Sequence, residues 1–443
     1  MKSVAFCTLG CKVNQYETDA MEEIFQNGGY EIRAFHEKAD VYVINTCTVT
    51  NMADRKSRQM LHRARKKNPD SVIVAAGCYV QAAGEAVEAD EAIDLIIGNN
   101  CKGQILSMVE EFLENREKRV QTIDINHTSD YETMFITKVS EHTRAYIKIQ
   151  DGCNQFCSYC IIPYARGRVR SRQADDILNE VTALAASGYR EIVLTGIHVS
   201  SYGKDFEDGV GFGKTDALIR LVEALAAIDG VERIRFGSLE PGIITESFVQ
   251  RLAAIPEICP HFHLSLQSGC EATLKRMNRH YTPEQYAEKC DLLKKYFDRP
   301  AFTTDVIVGF PGETDEEFEA TEKFLDQIHF AEMHVFKYSP RKGTRAAVMK
   351  DQVDERVKTA RSNRLIALGE KMMDDYRILC QDKKLEVLIE EDITVDGKTM
   401  WVGHSREYIK CVMESDSIQS KDIVNCQMTG ASAEDFVFCE IID

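Results

Sequence analysis

Cys153, Cys157 and Cys160 lie in Gly152-Cys153-Asn154-Gln155-Phe156-Cys157-Ser158-Tyr159-Cys160, with three and then two residues between the thiols. A tetrahedral zinc site takes four protein ligands, and no fourth Cys or His stands nearby to complete one. A cubic iron–sulfur cluster held by three thiolates instead keeps one iron open to an outside ligand. The competing reading is three packed thiols, against which the spacing, the flanking Gly152 and the aromatic Tyr159 all argue.

Three further cysteines share a different property. Cys11, Cys47 and Cys78 each follow an apolar β-rich run, Ser3–Thr8, Val41–Thr46 and Ser71–Gly77. With the run Leu95–Gly98 and intervening helical patterns, these runs predict a parallel sheet covered by helices on both faces. Ligand groups in such sheets collect where loops leave the carboxyl ends of the strands. A second three-thiolate cluster is one reading, and buried packing, common for Cys, is the other. Cys7, inside a strand, and Cys101, opening a helix, read as structural.

The elements that must hold the first triplet run from Arg144 onward. Strands are predicted at Ala145–Gln150, Glu191–Ile197, Arg233–Ser238, His261–Gln267, Thr303–Val308 and His334–Tyr338, with helices between them. Six units make a partial (β/α) barrel, whose chemistry belongs at the carboxyl ends of its strands. Thr195, Gly196, Glu240, Ser265, Gln267, Asp305 and Val308 stand at those ends and together suggest the cradle of a small polar ligand. Beyond a long charged helix near Val353–Tyr376, five short β-runs predict a small β-barrel. The fold class is therefore α/β, divided as 1–125, a linker at 126–143, 144–375 and 376–443.

Composition bounds what this chain can do. Its 443 residues suggest about two to four domains. Fifteen cysteines without a secretory leader argue for metal or thiol chemistry rather than a disulfide scaffold. The N-terminal apolar run is too short for a signal sequence and no stretch is long enough to span a membrane, so a cytoplasmic location is expected.

A net charge of -17 is a poor footprint for general nucleic-acid binding, which leaves local basic patches. Arg55, Arg58 and Arg65 fall on one face of a predicted helix that also carries Lys56, Arg63, Lys66 and Lys67. Arg166, Arg168 and Arg170 alternate with small residues just after the first triplet, and Pro340–Arg345 is a second basic turn. Phosphate contact is one reading of these arginines; solvated surface or ion pairing is the other. Residues 381–443 hold six Lys or Arg against fourteen Asp or Glu, so that module is acidic.

The CxxxCxxC triplet resembles that of radical S-adenosylmethionine (SAM) enzymes. The Cys11/Cys47/Cys78 set ahead of it and the β-barrel behind it, which resembles a TRAM module, look like the methylthiotransferase branch over nearly the whole chain. The segments from Thr8 to Glu17 and from Cys160 to Gly167 are most similar to the tRNA enzymes acting on N6-threonylcarbamoyladenosine. Enzymes of the branch acting on isopentenyladenosine tRNA or a ribosomal-protein aspartate are the nearest alternatives, and a non-catalytic metal-bearing RNA-binding protein is the alternative of another class.

The resemblance implies two 4Fe–4S clusters, SAM bound at the open iron of the Cys153/Cys157/Cys160 cluster, and a 5′-deoxyadenosyl radical aimed at an unreactive adenine C2–H. Tyr159 and the strand-end residues would line the SAM seat. The Cys11/Cys47/Cys78 cluster would present sulfur that a second SAM methylates, so both open corners must face one cavity. The resemblance also implies transfer to position 37 of a tRNA anticodon stem-loop, and a flavodoxin- or ferredoxin-type reductant as electron source.

Overall fold

The computed structural model describes residues 2–137, 143–207, 213–214, 216–395, 397–432 and 435–442. Its first part is a six-stranded parallel sheet of β1 (Ser3–Thr8), β2 (Glu31–Arg33), β3 (Val41–Thr46), β4 (Val72–Gly77), β5 (Leu95–Ile97) and β6 (Arg119–Gln121). The order is β2-β1-β3-β4-β5-β6. Val41, Val43, Val72 and Val74 pack with Met21 and Phe25 on one face; Tyr42, Ile44, Ile73 and Ala75 pack with Leu61 and Ala64 on the other. Helices therefore cover both faces, which is why the central strands are apolar throughout. The edge strands β2 and β6 have no such run and were not legible in the sequence.

The central part contains β7 (Arg144–Asp151), β8 (Arg170–Ser171), β9 (Glu191–Gly196), β10 (Arg233–Phe236), β11 (Ser238–Leu239), β12 (His261–Leu264), β13 (Ala301–Val308) and β14 (Glu332–Lys337). They form two sheets, β10-β9-β7-β8 and β11-β12-β13-β14. Gly237 separates β10 from β11, so the two occupy one strand position that bends between the sheets, giving the six parallel positions expected. The short β8 is antiparallel to β7, with Asp151 opposite Arg170, and returns the arginine-rich segment into the barrel wall.

Segment 126–143 is less of a linker than its composition suggests. Met134 and Ile136 are buried in the barrel core, and the Tyr131 hydroxyl donates to Lys148 O at 2.9 Å; its residues 138–142 lie outside the described residues. The boundary expected at 375 falls inside helix Glu355–Leu379, so the change of texture comes only after Leu379. There β15 (Leu385–Val395), β16 (Lys398–Ser405), β17 (Lys410–Met413), β18 (Ile423–Ser432) and β19 (Val437–Ile441) close a barrel in the order β15-β16-β17-β19-β18. No helix among the described residues is long and apolar enough to cross a membrane.

The closed barrel docks at the amino ends of the central strands, away from the cysteine loops. Tyr408 stacks on His261 at 4.8 Å and His404 at 4.6 Å, with the Arg144 and Arg235 guanidinium groups over its ring. Arg235 also donates to Ser405 O and Arg406 O while paired through Nε to Glu191 at 2.8 Å; Arg233 pairs with the other Glu191 oxygen. Burial alone would push the Glu191 carboxyl up, but Arg235 and Arg233 outweigh it and hold it at about 2.

Its ionisation therefore stabilises the fold above the ordinary carboxylate pKa, and that contribution is lost as pH falls from about 4.5 toward 2. The urea midpoint of the native protein should drop steeply over that window. Glu191→Gln should cost about 3 kcal/mol at pH 7, because two buried arginines lose their partner, and should flatten the acid limb. An acid limb of unchanged slope in the variant would contradict this role.

Candidate active site between the sheet and the barrel

Cys11, Cys47 and Cys78 leave the carboxyl ends of β1, β3 and β4, three neighbouring strands. Cys11 is the N-cap of helix Lys12–Asn27, and Cys78 begins helix Cys78–Ala83. The loops are tied together by Asn14, whose Nδ2 donates to Leu9 O at 2.6 Å and Thr46 O at 3.0 Å. Gly10 (φ +104°) allows the close approach: a Cβ there would stand 2.9 Å from both Cβ and Sγ of Cys47. Cys47 and Cys78 are buried, whereas Cys11, at the start of its helix, is an exposed residue whose thiol is pushed up by burial.

The second triplet sits on the loop after β7. Gly152 (φ +70°) lets this loop fold onto its own return: a Cβ would lie 1.8 Å from Arg168 O, and Cys153 N donates to Gly167 O at 3.0 Å. Asn278 Nδ2 donates to the carbonyls of Gln155 and Phe156 from the opposite side. Burial pushes the Cys47 and Cys153 thiols up to about 11 and Cys160 to about 12, where repulsion from Cys157 adds to it. Metal-free, these three are neutral thiols at pH 7, and a bound metal must displace their protons. Each set offers three thiols and, among the described residues, no fourth protein ligand, which fits an iron–sulfur cube with one open iron once the thiols lose their protons.

The residues expected at the barrel mouth differ in how the fold uses them. Glu240 is nearly enclosed; burial opposes its ionisation, but His198 and Arg279 outweigh it and hold it below the usual carboxylate range. Arg279 NH2 lies 2.5 Å from Glu240 and NH1 3.4 Å from Cys157 Sγ; Arg279 also donates to Ser265 O. Glu240 and Ser265 are thereby joined to the cluster loop. Gly196 and Thr195 end β9 beside Gln150, and Gln267 (φ +71°) bridges backbone to Asp305 and Ile307. The Asp305 carboxylate lies 3.5 Å from His263 Nε2. Tyr159 packs edge-on against Phe310. Val308 is different: its side chain is in the apolar core and its carbonyl accepts from Tyr338 N.

Sequence reasoning missed Arg279 and His198, which belong to no motif. His198 Nε2 contacts Gln155 at 3.4 Å, and both line a cleft of about 680 Å³ with Tyr202, Glu240, His280 and Tyr281. Sequence reasoning also missed Cys411, Cys426 and Cys439, whose sulfurs lie within 4.8 Å of one another in the closed barrel. Hydrogen bonds from Cys411 and Cys426 pull Cys439 down to about 4, while contacts with the other two thiols and burial push Cys411 up; the three sulfurs pack among Leu385, Val387 and Met413.

The arginine expectations need the largest correction. Arg166 and Arg170 are 0% and 1% exposed and cannot contact phosphate. Arg166 donates to Glu17 Oε1 at 2.7 Å, Asn14 Oδ1 at 2.6 Å and Asp151 Oδ2 at 3.1 Å, and Arg170 lies 3.8 Å from Asp151. Arg65 is half-buried, bound to Asp94 at 2.5 Å and to Ser71 O. Arg341 of the second basic turn is buried against Thr48, Asn51 and Asp54. Ion pairing, the plainer reading, holds for all four. Arg168 is half-buried over Phe156, while Arg55 and Arg58 are exposed.

With this geometry, the relatives are informative. Residues 147–325 match the Radical SAM superfamily, and residues 3–98 match Uncharacterized protein family UPF0004. Over 432 residues the chain is 43% identical to the threonylcarbamoyladenosine tRNA methylthiotransferase MtaB of Bacillus subtilis (strain 168), spanning 97% of this chain and 94% of that protein. The chain belongs to the radical SAM methylthiotransferase family.

Three other comparisons agree. This methylthiotransferase is 40% identical to the MtaB of Aquifex aeolicus (strain VF5) over 88% of its length and 93% of that protein. It is 35% identical to the tRNA-2-methylthio-N(6)-dimethylallyladenosine synthase of Pelotomaculum thermopropionicum, covering 97% and 96% of the two chains. Its fold resembles that of the radical SAM methyltransferase TsrM of Kitasatospora setae, with a TM-score of 0.56 at 16% identity over 79% of this chain and 77% of that one.

Proposed function

We propose that this methylthiotransferase acts on tRNA, converting N6-threonylcarbamoyladenosine in the anticodon loop to its 2-methylthio derivative, with two SAM molecules consumed per product. The observation that carries the reading is the pairing of two three-thiol sites joined through one buried side chain, Arg166, which donates to Cys78 from the segment following Cys160. The two relatives named for the threonylcarbamoyl substrate are 43% and 40% identical, against 35% for the dimethylallyl enzyme, which favours the first substrate. When bound, the clusters and SAM supply a carbon radical and a transferable methylthio group.

The chain's own residues have definable tasks. Cys153, Cys157 and Cys160 hold one cluster and Cys11, Cys47 and Cys78 the other. Arg279 and Glu240 neutralise each other beside Cys157 and orient the loop carrying Ser265. The cleft of about 680 Å³ lined by Gln155, His198, Glu240 and Tyr281 is of ligand size and adjoins the Cys153–Cys160 loop through Gln155. A flavodoxin- or ferredoxin-type protein is the proposed electron donor, and division into a cluster-bearing sheet, a radical SAM barrel and a TRAM-like barrel is the proposed domain plan.

With Arg166 and Arg170 removed from the phosphate surface, tRNA contact falls to helix Asn51–Lys67. Its N-terminal end lies against Arg341 and the segment after Cys47, and Arg55 and Arg58 project from its first turns. The exposed Met52 and Tyr164 give apolar surface near the same mouth. Arg55→Glu combined with Arg58→Glu should weaken tRNA binding about tenfold or more and flatten its salt dependence. SAM cleavage without tRNA should be unchanged. Retention of full tRNA affinity would remove this helix from the interface.

A further inference from the structure

Arg166 does more than join two folding units. Its Nε–H points at Cys78 Sγ at 3.2 Å, while NH1 and NH2 are fixed by Glu17, Asp151 and Asn14. Every polar nitrogen of the group is thereby assigned, and its direction toward the sulfur is set. Asn99 reinforces it: Nδ2 donates to Ala165 O at 2.8 Å and lies 3.6 Å from the same sulfur, while Oδ1 accepts from Lys102.

The charge around this contact is unbalanced. Lys102, Lys148, Arg166 and Arg170 are all fully or nearly fully buried and converge on two buried carboxylates, Glu17 and Asp151. Glu132 adds a half-buried carboxylate at the margin, near Lys102 and Lys148. Four cations against three acids leave positive charge in a place that water does not reach. Unbalanced buried charge is costly unless an opposite charge lies close. The side chain that meets Cys78 is one of these cations, so the missing negative charge belongs on the sulfur side.

We infer that Arg166 is a positioning residue of the Cys11/Cys47/Cys78 cluster, holding a charged N–H on the Cys78 thiolate so that the cluster's added electron is stabilised and its reduction potential raised. The inference rests on the two-cluster reading above. Hydrogen bonds and charge at cluster sulfurs are established determinants of such potentials. The position of Arg166 in the chain gives the device a second property. The residue closes the turn Ile162–Ala165, which begins two residues after Cys160, and that turn packs against helix Cys78–Ala83. A displacement of the Cys153–Cys160 loop would therefore move the donor relative to Cys78, coupling the electronic state of one cluster to the seating of the other.

The test isolates the second cluster. In the full-length chain with Cys153, Cys157 and Cys160 all changed to Ala, iron and sulfide are reconstituted and the potential of the remaining cluster is titrated by electron paramagnetic resonance. Arg166→Gln in that background removes the charge and redirects the donor, and leaves Lys102, Lys148 and Arg170 to neutralise Glu17 and Asp151. The expected result is unchanged iron content with about a tenfold fall in the reduced-to-oxidised ratio at the parent midpoint, ~59 mV for a one-electron couple. Arg166→Lys, which keeps the charge and loses the planar fork, should shift in the same direction by less, and decides the matter should the Gln variant not fold. Full iron loading with an unaltered midpoint and spectrum in the variants would overturn the role of Arg166. A parent chain that binds no iron once the three loop cysteines are gone would instead overturn the two-cluster reading beneath it.

Discussion

Cys157→Ala should abolish formation of 5′-deoxyadenosine from SAM while leaving the Cys11/Cys47/Cys78 site loaded with iron. Cys157 is the member of its triplet that Arg279 addresses, at 3.4 Å, and Arg279 also holds Glu240 and the Ser265 carbonyl. Removing that thiol leaves two ligands for a cube that needs three, and frees a guanidinium that had been directed at sulfur. The other triplet is untouched because its loops rest on β1, β3 and β4. Iron should therefore fall from about eight per chain to about four. Chemical iron and sulfide analysis, with chromatography of the cleavage products, reads both halves of the expectation. Continued production of 5′-deoxyadenosine would remove Cys157 from the radical site.

Cys47→Ala should show the opposite separation: SAM is still cleaved reductively, but no methylthio group reaches tRNA. Cys47 lies in the middle of its set, buried beneath Gly10 and beside Ser57, whose hydroxyl donates to the Cys47 carbonyl at 3.1 Å. Its loss leaves Cys11 and Cys78 as an incomplete pair. The barrel loop keeps its own supports, Asn278 and the Gly167 carbonyl, so radical generation should persist and be spent unproductively. Mass spectrometry of nucleosides from treated tRNA, alongside the SAM products, distinguishes this from general collapse. Normal methylthio product from the Cys47 variant would sink the idea of a second cluster.

Much of this was legible because parallel α/β architecture leaves a strong imprint. A strand covered on both faces must be apolar along its length, and its loop at the carboxyl end begins where the apolar run stops. Reading Val41–Thr46 as a strand thus placed Cys47 at the functional end without any knowledge of neighbours. The same logic failed for β2 and β6, which are exposed edges of three residues each. It also failed at 375, where the sequence changes texture near, but not at, the end of a continuous helix.

The arginines show the limit most clearly. In the sequence, Arg166 and Arg170 belong to a basic turn, and nothing local identifies their counter-charges. Glu17 lies 149 positions from Arg166, and only the packing of helix Lys12–Asn27 against β7 brings them together. Arg279 and His198 posed the converse problem: neither belongs to a motif, and the importance of each comes wholly from what the fold sets beside it.

The amino-acid sequence by itself determined the chemistry available: two sets of three thiols, each short of a fourth ligand, on strands whose apolar pattern set their direction. It also determined the order of sheet, partial barrel and closed barrel, because periodicity and thiol spacing are local properties. Tertiary structure alone decided which charges meet. Ion pairs between residues distant in the chain depend on how two independently patterned units dock, and docking turned an apparent phosphate-binding loop into a buried charge network directed at Cys78. It likewise seated the closed barrel, through Tyr408, at the end of the central barrel away from the cysteines.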